Sequence, residues 1–96
     1  MPKGYWIARI TITDPGNYPK YLAANKIAFD KYGARFLVRG GRYSAAEGPA
    51  RERNVVIEFD SYATALECYA SPEYQAAAEI RRAYSQGEIV IVEGAG

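Results

Sequence analysis

The sequence predicts an α+β sandwich: a four-stranded antiparallel sheet with helices on one face, in the order strand, helix, strand, strand, helix, strand. Three observations carry this reading. Residues Tyr5 to Thr13 alternate with period two, as a strand requires. Two segments, Tyr18 to Tyr32 and Asp60 to Tyr84, repeat their apolar positions every three or four residues, as helices do. Two short segments carry unbroken β-branched runs, Val55-Val56-Ile57 and Ile89-Val90-Ile91-Val92, which mark strands expected to be buried on both faces.

In the first strand Trp6, Ala8, Ile10 and Ile12 share one face, and Tyr5, Ile7, Arg9 and Thr11 the other. Asp14-Pro15-Gly16-Asn17 ends it with turn residues. The following helix starts either at Pro15, capped by Asp14, or nearer Pro19. Its face is Tyr18, Tyr21, Leu22, Asn25, Phe29 and Tyr32, and Gly33 supplies a left-handed cap.

Ala34 to Arg39 forms the second strand, Gly40-Gly41 a bulge or bend, and pairing is expected to resume over Arg42 to Ala46. A loop from Glu47-Gly48-Pro49 returns the chain to Arg53, and Asn54 to Phe59 forms the third strand. Asp60 or Ser61 caps a helix through Ala63, Leu66 and Tyr69 that breaks at Ser71-Pro72. A second helical piece spans Glu73 to Tyr84, Gln86-Gly87 ends it, and Glu88 to Glu93 is the last strand. This order is the split βαβ plan of a ferredoxin-like sandwich, with the first and third strands central.

Two helices cover one face of such a sheet, yet its strands are apolar on both. The simplest cover for the second face is a second copy of the chain, so a homodimer packed sheet against sheet is expected. At 96 residues the chain is one domain, 1–96, and a domain this size buries only about two-thirds of its unfolded surface. A subunit interface would add to that.

Composition narrows the chemistry. A formal charge of +1, from twelve basic and eleven acidic side chains, offers no overall field for nucleic acid or an anionic membrane. No apolar run approaches the roughly 20 residues that span a bilayer, and the expected location is the cytoplasm. Cys68 is the single cysteine, so no intramolecular disulfide can form, and without a neighbouring histidine it reads as a small buried residue. The absence of histidine removes the usual general base, the usual metal ligand and any Ser-His or Cys-His nucleophile within the chain. No metal site is expected. An RNA-binding reading of the same topology also fails, because the third strand carries Val55-Val56-Ile57 where base-stacking rings would stand.

The segments GYWIARITITDP, FLVRGGRY, NVVIEF, SPEYQAA and IVIVEG resemble domain-of-unknown-function family thirteen-thirty, within the dimeric α+β barrel superfamily. The resemblance spans nearly the whole chain. It implies a ferredoxin-like protomer and a barrel-forming homodimer, and it implies no activity. The superfamily is similar in fold to cofactor-free monooxygenases, lactone isomerases and haem-degrading enzymes, which use a cavity between sheet and helices. Without histidine the usual haem ligand is missing, and no cofactor is expected.

Arg39 beside Gly40-Gly41 is the first candidate. Its guanidinium can present a bidentate fork to a carboxylate or phosphate, or it can pair with Glu58 or Glu47 and fix the hairpin register. Glu58, on a strand otherwise apolar, can be a partly buried carboxylate with a raised pKa acting as a base, or the partner of Arg9, Arg39 or Arg53. By strand geometry Arg9 and Arg53 belong to the same cluster. Tyr5, Trp6 and Tyr69, with Tyr74 and Tyr84, can line an aromatic pocket or fill the core. Three functions stay open: binding of a small organic anion, cofactor-free proton transfer or oxygenation with Glu58 or a tyrosine as acid or base and Arg39 on the oxyanion, and a purely structural module.

Overall fold

A computed structural model describes residues 2–96. The elements are β1 (Gly4–Ile12), α1 (Pro19–Tyr32), β2 (Arg35–Arg39), β3 (Arg53–Phe59), α2 (Tyr62–Ala70), α3 (Pro72–Tyr84) and β4 (Ser85–Glu93). The sheet order is β2-β3-β1-β4 with every pair antiparallel, so the first and third strands are central as the sequence predicts.

Local chemistry explains the element boundaries. The Asp14 carboxylate accepts from the Gly16 and Asn17 amides and from Asn17 Nδ2, which closes a turn and delays α1 to Pro19. Gly33 stands at φ 68°, and its N–H reaches the Phe29 carbonyl, stopping α1. Ser61 caps α2 by accepting from Thr64 N at 3.1 Å. Ser71 caps α3 in the same way from Tyr74 N, with Pro72 in the first turn.

Three boundaries differ from the expectation. The irregularity in the second strand falls between Phe36 and Val38, at Leu37, and not at Gly40-Gly41. Pairing does not resume over Arg42 to Ala46: Gly40 turns at φ 68°, its N–H takes the Asn54 carbonyl, and residues 41–46 run as an exposed loop. The last strand starts at Ser85, directly after α3, so Gln86-Gly87 lie within it. Ser85 Oγ donates to the Arg81 carbonyl at 2.6 Å, which ends the helix without a glycine.

All three helices lie on the face that carries Trp6, Ala8, Ile10, Val55, Ile57 and Phe59, and the core is there. Trp6 is 1% exposed, touches the rings of Phe29, Phe59, Tyr69 and Tyr74, and donates from Nε1 to the Ala65 carbonyl at 2.9 Å. The opposite face carries Ile7, Val38, Val56, Val90 and Val92, and no element of the described chain covers it. The runs expected to be buried on both faces are therefore buried on one in the single chain, with Val90 56% exposed.

Gly4 fixes how closely α2 approaches β1. A Cβ there would lie 2.4 Å from the Ser61 carbonyl oxygen, which is backbone and cannot swing aside. Gly4→Ala is therefore expected to cost about 1–3 kcal/mol in urea denaturation. Gly41→Ala meets nothing within 4 Å and is expected to stay within about 0.5 kcal/mol of the parent.

Candidate functional site

The strand register sorts the candidate residues onto two faces. Tyr5 stands opposite Glu58 and Arg9 opposite Asn54 on the open face. Trp6 stands opposite Ile57, and Arg53 opposite Ile10, on the helix face. The bulge at Leu37 leaves Arg35 beside Glu58 on the open face and Arg39 beside Val55 on the helix face. The single cluster expected from the sequence is thus two separate groups.

On the open face the charges are paired at both ends of the apolar band. Glu58 accepts from Arg35 Nε at 3.0 Å and from the Tyr5 hydroxyl at 3.2 Å, and Arg35 also reaches Asp60. At the other end Arg51 forks onto Glu88 at 2.9 and 2.7 Å and donates to Thr11 Oγ1, while Arg9 donates to the Pro49 carbonyl. The partner of Glu58 is Arg35, a residue the sequence reading did not single out, and neither Arg9, Arg39 nor Arg53. The hydrogen bond from Arg35 holds the Glu58 carboxyl below its usual range, against a smaller opposing effect of desolvation. Arg35 thus holds Glu58 as an ionised partner, the opposite of the raised pKa expected of a base.

The helix face holds a pocket between α1 and the sheet. Its walls include Trp6, Phe29, Phe36 and Val55, and its polar groups come from Tyr18, Tyr21, Asn25, Arg39 and Arg53. It has about 30 Å³ of room for the centres of water-sized atoms, and an outer cleft of about 220 Å³ adjoins it through Asn25, Phe36 and Arg39. Arg39 pairs with neither Glu58 nor Glu47; its guanidinium lies over the Phe36 ring at 4.0 Å, at the mouth. Arg53 passes beside Gly40, where a Cβ would meet its Nη1 at 2.6 Å, and its buried Nε has no hydrogen-bond partner. Among the described residues, neither arginine has a carboxylate within ion-pair distance.

The pocket's phenols stay protonated. Burial raises the pKa of Tyr18 and Tyr21, opposed at Tyr18 by the Arg53 charge. Tyr74, behind the pocket, is raised by burial against the opposing effects of Tyr21 and Arg81, and the Tyr21 and Tyr74 hydroxyls bond each other at 2.9 Å. Burial likewise pushes the Cys68 thiol up to about 12, which makes it unreactive at neutral pH. Tyr69 packs on Trp6 and faces a different cleft beside β4, and Tyr84 lines neither cavity. Among the described residues no three of His, Cys, Asp and Glu gather as a metal set, and no helix is long and apolar enough to cross a membrane. Tyr18, Asn25 and Tyr21 were legible only as a helix face; Asn25, a polar residue on that apolar stripe, was the available signal.

The lowered pKa of Glu58 sets a pH dependence. The unfolded chain binds this proton more readily, so the stabilisation is present above the ordinary carboxylate range and is lost as pH falls through the lowered native value. The urea midpoint is expected to drop from pH 7 towards pH 3. Glu58→Gln should lower the midpoint at pH 7 and flatten its acid dependence, while a parent with the same slope would contradict the pairing.

Comparisons with known proteins agree with this architecture. A protein of unknown function from Rhodopseudomonas palustris superposes with a TM-score of 0.78 at 16% identity, over 99% of this chain and 84% of that one. SnoaB, a cofactor-independent oxygenase from Streptomyces nogalater, gives 0.62 at 15% identity, over 96% and 92%. A dimeric ferredoxin-like protein of unknown function from Thermobifida fusca gives 0.55 at 16%, over 96% and 91%. At such identities the likeness establishes the fold alone. No curated protein matches the chain. The sequence profile of one family covers residues 3–95, essentially every element described above, and the chain accordingly belongs to the family described as domain of unknown function (DUF1330).

Proposed function

We propose that the chain forms a homodimeric α+β barrel and that each protomer binds a small organic anion, aromatic in body, in the pocket between α1 and the sheet. The observation that carries this reading is the charge imbalance of the helix face. Arg39 and Arg53 flank an otherwise uncharged pocket and, among the described residues, have no counter-ion, whereas Arg9, Arg35 and Arg51 on the open face each have a carboxylate. Arg53 is half-buried with its Nε sealed and unpartnered, which is costly, while Arg39 is exposed at the mouth; an anionic ligand would supply the missing charge at the first and be met by the second.

The closed pocket is too small for a ring, so binding requires Arg39 to leave Phe36. An exposed cation–π contact is worth about 0.5–1 kcal/mol, which makes that motion cheap. The ligand ring would then lie against Phe36 and Trp6, with its charge between Arg39 and Arg53 and the neutral hydroxyls of Tyr18 and Tyr21 available as donors. Dimerisation would cover Ile7, Val38, Val90 and Val92, and the Thermobifida fusca relative is described as dimeric.

A second reading, cofactor-free oxygenation, is favoured by the likeness to SnoaB and by the donors in the pocket, which suit an enolate or phenolate. Glu58 has no part in it, because it lies on the other side of the sheet. The inner pocket lining holds no carboxylate, and Asp30 in the adjoining cleft is paired with Lys26, so a substrate would have to enter as its anion.

Trp6 is the only tryptophan and lines the pocket, so its fluorescence reports occupancy. Titration with benzoate is expected to give a saturable change, weakened at least tenfold by Arg39→Ala or Arg53→Met, about 1.4 kcal/mol, and unaffected by Glu58→Gln. Unchanged titrations in both arginine variants would overturn the assignment. Sedimentation velocity is expected to find a dimer that Val90→Arg converts to monomer; a monomeric parent would refute the covered sheet face.

A further inference from the structure

A second cationic site lies on the far side of Ile89 from the pocket. The cleft between the end of α3 and β4 holds about 340 Å³ and is lined by Tyr69, Arg81, Arg82, Ser85, Gln86 and Ile89, with Gly87 at its floor. Arg81 is 7% exposed, so nine-tenths of this charged residue is out of water. Its Nε is sealed without a hydrogen-bond partner, and among the described residues no carboxylate lies within ion-pair distance of Arg81 or Arg82.

A buried guanidinium with no counter-charge is destabilising unless something else supplies the charge. The helix dipole would favour cations in this last turn of α3, but an exposed side chain serves that purpose and burial is not needed. Two of the last-turn carbonyls that would repel an anion here are already engaged. Ser85 Oγ donates to the Arg81 carbonyl, and the Thr13 and Asp14 amides donate to that of Tyr84. The cleft is lined by two arginines consecutive in sequence, by Gln86 and by an apolar wall of Tyr69 and Ile89, and the Arg81 charge also acts on the Tyr74 hydroxyl behind it.

We infer that this cleft binds a phosphate dianion, either free or carried by a small organic molecule. Two unpaired positive charges on neighbouring residues match the charge of about −1.5 to −2 on a phosphate group near pH 7 better than they match one carboxylate. The Tyr69 ring and Ile89 would receive an organic body, and this distinguishes the two sources. The site is independent of Arg39 and Arg53, which line the other cavity.

The test is an amide and arginine Nε–H correlation NMR titration of the full chain with inorganic phosphate and with phenyl phosphate, chloride holding the ionic strength constant. Saturable shifts at Ser85, Gln86, Gly87 and Arg81 Nε–H, with half-saturation in the millimolar range, are expected. Arg82→Ala, on an exposed residue, is expected to raise half-saturation at least fivefold, and Arg81→Lys, which keeps the charge and loses the fork, to do likewise. Tighter binding of phenyl phosphate supports a phosphorylated organic ligand, and equal binding supports free phosphate. Non-saturating shifts, shifts indifferent to Arg82→Ala, or shifts abolished by Arg39→Ala would each overturn the site.

Discussion

The seating of Trp6 is the contact on which the rest of the molecule depends. From the middle of the sheet its ring meets Phe29 of α1, Tyr69 of α2, Tyr74 of α3 and Phe59 of β3, and its Nε1 is satisfied by the Ala65 carbonyl. One side chain thereby ties a central strand to all three helices. Edge-to-face aromatic pairs add about 0.5–1.5 kcal/mol each beyond the area they bury, so the hub is also an energetic centre. The same ring forms part of the pocket wall, so the packing that defines the core also defines the candidate binding surface.

Placing every helix on the Trp6 side leaves a sheet with two unlike faces. The open face is an apolar band closed off by the Arg35-Glu58-Tyr5 and Arg51-Glu88-Thr11 groups, whose charges are matched within the chain. The helix face concentrates arginines without carboxylates, at Arg39, Arg53 and Arg81. Net charge of +1 conceals this, because the acids are spent on one face and the exposed surface. On the proposed reading, the unmatched arginines would draw an anion to the helix side and leave the other side for apolar contact.

The architecture was legible because local signals agreed with the global plan. Period-two alternation in β1, serine caps at Ser61 and Ser71, and the left-handed Gly33 each act over a few residues, and each stands where the sequence puts it. The candidate site was legible in residue type and not in grouping. Arg39, Arg53, Glu58 and Trp6 are all at informative places, but one bulged residue at Leu37 decides which face Arg35 and Arg39 take, and nothing in RFLVRGG marks the bulge at Leu37 rather than at the glycines. The glycine pair drew the bend to itself, whereas Gly40 serves to end the strand and to admit the Arg53 side chain. Arg81 was invisible for a different reason: a last-turn arginine reads as a solvated dipole partner, and its burial is a tertiary fact.

The most direct test of the two-faced account is a crystal structure of the protein grown with benzoate. The account predicts the ring between Phe36 and Trp6, its carboxylate between Arg39 and Arg53 with Arg39 turned away from Phe36, and the open sheet face packed on a second copy. Benzoate beside Glu58 on the open face, or a closed pocket with Arg39 still on Phe36 at saturating benzoate, would contradict it.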